Sequence, residues 1–193
     1  MTETLTKMRR KVKKHLDKER YDHTIGVMHT AGCLAMRFGA DMDKALVAGL
    51  LHDCAKCIPD DEKIALCKNY HLEISSAEKS NPGLLHAKLG ALLAQKKYHI
   101  NDKEILHAIQ YHTTGCPAMT LLEKIIYIAD FIEPGRREAP NLPAVRDLAF
   151  RDIDACLYRI LEDSLTYLDK KGVTIDHLTE KTYQYYKNQK LPD

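Results

Sequence analysis

The sequence predicts an all-α, single-domain helical bundle, and three observations carry that expectation. Apolar residues recur at helical spacing in nearly every patterned segment. No segment sustains the two-residue alternation of β-branched residues that a strand would show. The length, 193 residues, supplies one sizeable core and is awkward for two. Composition agrees, since 45% hydrophobic and 29% charged residues exclude a disordered chain, a collagen-like repeat and a disulfide scaffold.

Each element follows from local signals. A first helix is expected over residues 4–16, and a second from Tyr21 to Phe38, where Gly39 ends it. Asp41 caps a third, KALVAGLLHDCAKC, apolar on most sides and therefore central, which stops ahead of Pro59. A short helix spans Asp60 to Asn69, and His71 to Asn81 reads as polar and irregular. Pro82 and Gly83 lead into LLHAKLGALLAQKKY, and Asn101 caps DKEILHAIQYHTT, which Gly115 closes. Thr120 and Glu123 form a capping box for LLEKIIYIADFI, ended by Pro134 and Gly135. The loop GRREAPNLPA precedes two more helices, about Val145–Lys170 and Asp176–Asn188, split by Gly172. With no repeat or linker in view, residues 1–193 form one expected domain.

A formal charge of +2 provides no general field for holding nucleic acid, so an anionic ligand must be met locally. No run reaches the ~18 consecutive apolar residues of a membrane helix, and the N-terminus lacks an apolar signal core, so a cytoplasmic protein is expected. There the six cysteines stay reduced and serve most simply as small core residues. Cys54 and Cys57 make a C-x-x-C without the second pair or the βαβ setting of a zinc or redox motif, although oxidation beside Lys56 could disturb activity. The basic run from Lys7 to Lys14 reads as a solvated helix face.

The chemistry gathers where polar residues interrupt apolar helices. His52 and Asp53 stand inside LVAGLLHDCAKC, and Asp130 is flanked by Ile126, Ile128, Ala129, Phe131 and Ile132. A buried carboxylate is costly unless a positive group pairs with it, so two of them on separate helices call for a shared cation. Arginine could supply it. Histidines in similar apolar surroundings, His23, His86, His107 and His112, make a metal the more economical choice, because imidazole with carboxylate is a transition-metal donor set. His107 and His112 are five positions apart, ~140° around a helix, and cannot face one centre together; His112 is preferred because it stands in HTTG.

The order His23, His52-Asp53, His86, His112, Asp130 resembles the H...HD...H...H...D signature of the HD-domain metal-dependent phosphohydrolases, over residues 20 to about 136. Within that family, RYDHTIGV, LLHDCAKCIPDDE, NPGLLHAKLGA, AIQYHTTG and EKIIYIADFIEPGR resemble the YqeK branch, the symmetrical bis(5'-nucleosyl)-tetraphosphatases. The resemblance implies an HD-type bundle with helices 145–188 packing on the core. It also implies symmetric cleavage of diadenosine tetraphosphate into two ADP by metal-activated water. It carries a metal site over to His23, His52, Asp53 and Asp130, with iron as the metal. A second ion would use Asp53 with His86 and His112; with one ion, those two histidines could contact phosphate or protonate the departing ADP.

Asp53 or Asp130 can orient the water. Lys56, one position short of a helical turn past Asp53, can reach bound phosphates, or it is a solvated lysine. Arg20 and Arg136 offer guanidinium forks for a polyphosphate. Cys54, Ala55 and Thr113 complete the phosphate-side candidates. The turn Lys170-Lys171-Gly172-Val173 could wall the adenine, while the plainer reading makes Gly172 a helix cap. Two other functions stay open: an HD enzyme acting on dNTPs, cyclic dinucleotides or guanosine alarmones, and a non-catalytic regulatory module. An apolar stripe on an outer helix could mark a homodimer.

Overall fold

Eleven α-helices and one 3-10 turn make up the regular structure of the computed structural model, with no strand among the described residues. Residues 3–139 and 141–189 are described; the ends of the expected 1–193 domain and Pro140 of the GRREAPNLPA loop lie outside them. In chain order the helices are α1 (Glu3–Lys13), α2 (Lys18–Phe38), α3 (Met42–Leu51), α4 (Asp60–Asn69) and α5 (Ser76–Ser80). After a 3-10 turn at Pro82–Leu85 come α6 (His86–Tyr98), α7 (Lys103–Tyr111), α8 (Leu121–Ile132), α9 (Leu142–Ala149), α10 (Ile153–Lys171) and α11 (His177–Asn188).

The differences from the sequence reading have local causes. The first helix stops at Lys13 instead of reaching residue 16, and α2 begins at Lys18 instead of Tyr21, because the Asp17 carboxylate caps it by accepting from the Arg20 amide. The expected helix through Cys57 ends at Leu51, and tighter turns follow, with Cys54, Lys56 and Ile58 amides donating to the carbonyls three residues before them. Gly90 of α6 approaches this turn so closely that a Cβ would lie 3.1 Å from the His52 carbonyl. The segment read as irregular contains α5, started by a Ser75–Glu78 capping box. Asp102, not Asn101, caps α7. The single helix expected over Val145–Lys170 is α9 and α10, separated where Asp152 accepts from the amides of Asp154 and Ala155.

The centre of the bundle is α2 against α3, with α8 packed on both and α7 on α3 and α8. Gly49 permits the close crossing, since a Cβ there would stand 2.9 Å from the Met28 Cα. Leu50, Leu51, Leu89, Ile109, Ile126 and Ile128 are fully buried around it. Burying a side chain of that size contributes about 1.5–3 kcal/mol. Helix α6 covers α7, α10 lies on α8, and α11 on α10. Among the described residues, no helix is long and apolar enough to cross a membrane.

Candidate metal centre and the adjoining cavity

Five helices deliver polar groups to one point in this apolar interior. His52 and His112 stand at the C-terminal ends of α3 and α7, and His86 opens α6. Each ring donates its Nδ1–H to the carbonyl three residues earlier: His52 to Gly49 (2.7 Å), His86 to Gly83 (2.6 Å) and His112 to Ile109 (2.7 Å). His23, inside α2, donates its Nδ1–H instead to Oε1 of Glu133 at 3.1 Å. A neutral imidazole with Nδ1 protonated keeps a lone pair on Nε2, so all four rings turn an acceptor inward.

Asp53 lies between them. Its Oδ2 is 3.4 Å from His52 Nε2, 3.8 Å from His23 Nε2 and 2.9 Å from an Arg20 nitrogen. Its Oδ1 is 3.2 Å from His86 Nε2 and 3.6 Å from His112 Nε2. Asp130 on α8 places Oδ1 3.0 Å from His23 Nε2 and 3.9 Å from His52 Nε2, and it also receives a 3.2 Å contact from Arg136. Burial alone would raise the pKa of both carboxyls. The nearby His52, His112 and His86 rings outweigh burial at Asp53, as the His23 and His52 rings do at Asp130, so both carboxyls are held well below the usual range.

These donors fit a metal ion. His23 Nε2, His52 Nε2 and Asp53 Oδ1 are buried with no hydrogen-bond partner although polar neighbours lie close. Each such orphan costs about 1–3 kcal/mol when uncompensated. The groups His23, His52, Asp130 and His52, Asp53, His112 each bring their donor atoms within 4.8 Å of one another. Imidazole with carboxylate suits a transition metal, and backbone-anchored Nδ1–H groups orient such ligands.

The other side of Asp53 differs. His86 and His112 place their Nε2 atoms 3.1 Å apart, and the Lys56 ammonium lies 3.3 Å from His86 Nε2. The Thr113 hydroxyl is 3.3 Å and 3.2 Å from the two rings. Burial, with the adjacent His112 and Lys56 charges, pushes the His86 imidazole down to about 4, despite its Asp53 contact. Burial also lowers Lys56.

A cavity of about 580 Å³ adjoins this side through Thr113 and Arg136, a volume suited to a small-molecule ligand. Leu84, Phe131, Tyr167, Leu168, Val173 and Ile175 supply its apolar walls. Of the expected Lys170–Val173 turn, Val173 lines the cavity. Gly172 caps α10 at φ 62°, and the exposed Lys171 lies over the Tyr167 ring. Cys54 and Ala55 turn their side chains into the core, which leaves only their backbone for a ligand. Burial pushes the Cys54 thiol up to about 12, so it is a poor thiolate source. His107 faces away, beside Glu123. Sequence reasoning passed over Glu133, Phe131 and Tyr167; a glutamate directly after an apolar helix, as in DFIEPG, was the signal for the first.

The HD domain family matches residues 20–135. The chain belongs to that family. The HD domain match contains the whole polar centre and ends before α10 and α11, which wall the cavity. A symmetrical bis(5'-nucleosyl)-tetraphosphatase of Bacillus subtilis is 42% identical over 90% of this chain and 92% of its own length. The corresponding Staphylococcus aureus protein is 35% identical over 94% of each chain. A crystal structure from Clostridium acetobutylicum, described as that of a predicted HD superfamily hydrolase involved in NAD metabolism, superposes with a TM-score of 0.92 at 39% identity, covering 96% of this chain and 97% of that one.

Proposed function

We propose that this HD-domain chain is a symmetrical bis(5'-nucleosyl)-tetraphosphatase, hydrolysing diadenosine tetraphosphate with one water to two ADP. Relatives of that name, similar over nine-tenths of the chain, support the activity. The observation that carries it is the join between a buried His/Asp centre and an apolar-walled cavity, made through Thr113 against His86 and His112, and Arg136 against Asp130.

His23, His52, Asp53 and Asp130 would hold one ion, with iron the choice the family resemblance favours. When bound, such an ion supplies Lewis acidity and lowers the pKa of a coordinated water toward neutrality. The Lys56 ammonium beside His86 puts a positive charge where a second ion would sit, which supports a single-metal centre. His86 and His112 then face the scissile phosphate, with Lys56, Arg20 and Arg136 offsetting the charge on its oxygens. His112 can hold the proton that the departing ADP takes up, while the uncharged His86 contacts phosphate. The adenosine of one half lies in the cavity between Phe131 and Tyr167, with Val173 at its edge. The cysteines are free thiols, consistent with action in a reducing cytoplasm.

The test is turnover by anaerobically purified protein of diadenosine tetraphosphate, beside dNTPs, cyclic dinucleotides, guanosine alarmones and NAD. ADP as sole product from the first substrate is expected. Cleavage of another nucleotide with this one untouched would move the assignment within HD chemistry, and metal binding without any turnover would favour a regulatory module.

A further inference from the structure

We propose that Glu133, admitted by Gly26, is a positioning residue that fixes the tautomer of His23 and so keeps its Nε2 lone pair available to a cation. The proposal rests on the reading of His23, His52, Asp53 and Asp130 as a metal centre. Three of the four inward-facing histidines stand at helix ends, where the carbonyl three residues before is within reach of their own Nδ1–H. His23 sits inside α2, where the helical ladder occupies the local carbonyls, so its ring needs an acceptor from elsewhere.

Glu133 provides that acceptor from 110 positions away. Its side chain is buried, and among the described residues its ion-pair partner is His23. Both carboxylate oxygens are engaged: Oε1 accepts the His23 Nδ1–H at 3.1 Å, and Oε2 accepts the Gly135 amide at 2.6 Å. The Glu133 carbonyl accepts from Arg146 at 2.7 Å and from the Arg136 amide at 3.0 Å, which pins the backbone. Room for the carboxylate comes from α2, since a Cβ on Gly26 would stand 2.4 Å from Oε2. Nearly a turn beyond His23, Gly26 therefore acts as the other half of the device.

A carboxylate is the group this geometry requires. Two donors converge on it, and an amide has one acceptor oxygen. In Glu133→Gln, the fixed Gly135 N–H takes that oxygen and the amide NH2 faces Nδ1. His23 then accepts at Nδ1 and carries its proton on Nε2, where the lone pair for the centre is lost.

The experiment uses full-length protein labelled with 15N-histidine, metal-free and zinc-loaded, as wild type, Glu133→Gln, Gly26→Ala and the double variant. Two-bond 15N–1H couplings report the His23 tautomer, and competition with a chelator gives the zinc dissociation constant. At a pH high enough for the His23 ring to be neutral, the expected result is an Nδ1–H tautomer in wild type and an Nε2–H tautomer in Glu133→Gln. Zinc binding should weaken by about 10–100-fold, as for other outer partners of metal-bound histidines. Gly26→Ala should shift both readouts the same way, and the double variant should be no worse than the poorer single one, since both remove one interaction. A purely structural role would lower the melting temperature of the metal-free protein while leaving the tautomer unchanged, and that outcome overturns the proposal. So does zinc binding within twofold of wild type in both single variants. If Glu133→Gln fails to fold by circular dichroism, Gly26→Ala decides from the α2 side. Wild-type protein that binds no zinc would sink the metal-centre reading, while the tautomer in the metal-free chains would still decide the role of Glu133.

Discussion

The polar centre and the cavity beside it meet at Thr113 and Arg136, yet they are built on different terms. His52, Asp53, His86 and His112 are at most 3% exposed, each imidazole tied to a backbone carbonyl, whereas Tyr167 and Val173 on the cavity wall are 50% and 48% exposed. The first arrangement accepts orphaned buried atoms in return for charges that cannot reorient. The second keeps apolar area accessible and holds its occupant by contact. Changes at the centre should therefore act on kcat and metal content, and changes at the wall on KM.

The largest expected effect is at the residue both sides of the centre share. Asp53→Ala should lower kcat by about 1000-fold or more, and the metal measured per chain should fall with it. Activity retained with metal still bound would separate Asp53 from the centre. Metal removal sharpens the same contrast in stability. At about 100 times its dissociation constant a bound ion adds about 2.7 kcal/mol. A chain of this size shifts by about 2–4 °C per kcal/mol, so calorimetry should show chelation lowering the melting temperature by about 5–10 °C.

At the wall, Tyr167→Ala should raise KM for diadenosine tetraphosphate by about 5–50-fold, because stacking of a base on an aromatic ring contributes about 1–3 kcal/mol. The kcat and metal content should stay near wild type, and a fall in kcat of similar size would break the division of labour. Lys171→Ala is expected to be the mildest, below about threefold in KM by steady-state kinetics, since an exposed lysine contributes little through charge alone.

Features with a local cause were legible in the sequence. The Thr120–Glu123 box and helix Asp60–Asn69 stand where their caps and punctuation place them. Asp53 and Asp130 were conspicuous as charges inside apolar runs, and the structure brings both to one centre with His23, His52, His86 and His112. Asp152 was harder, because apolar spacing continues through the break between α9 and α10 and hides the cap. Glu133 was harder still: a glutamate directly after an apolar helix was a visible signal, but its partner His23 is remote in the chain, and before proline it reads locally as an ordinary helix exit. The cavity wall has the same character, since Phe131 and Tyr167 come from different helices and look like packing residues on each. Periodicity reports which face is apolar, not which apolar face is left open.

The most direct test is a titration of metal-free protein with ferrous ion under anaerobic conditions, following ADP release from diadenosine tetraphosphate against metal bound per chain. The expected result is ADP as sole product, with a rate that rises in proportion to occupancy and saturates near one ion per chain. A rate independent of bound metal would contradict the metal centre, and release of ATP with AMP would contradict the symmetric cleavage assigned to it.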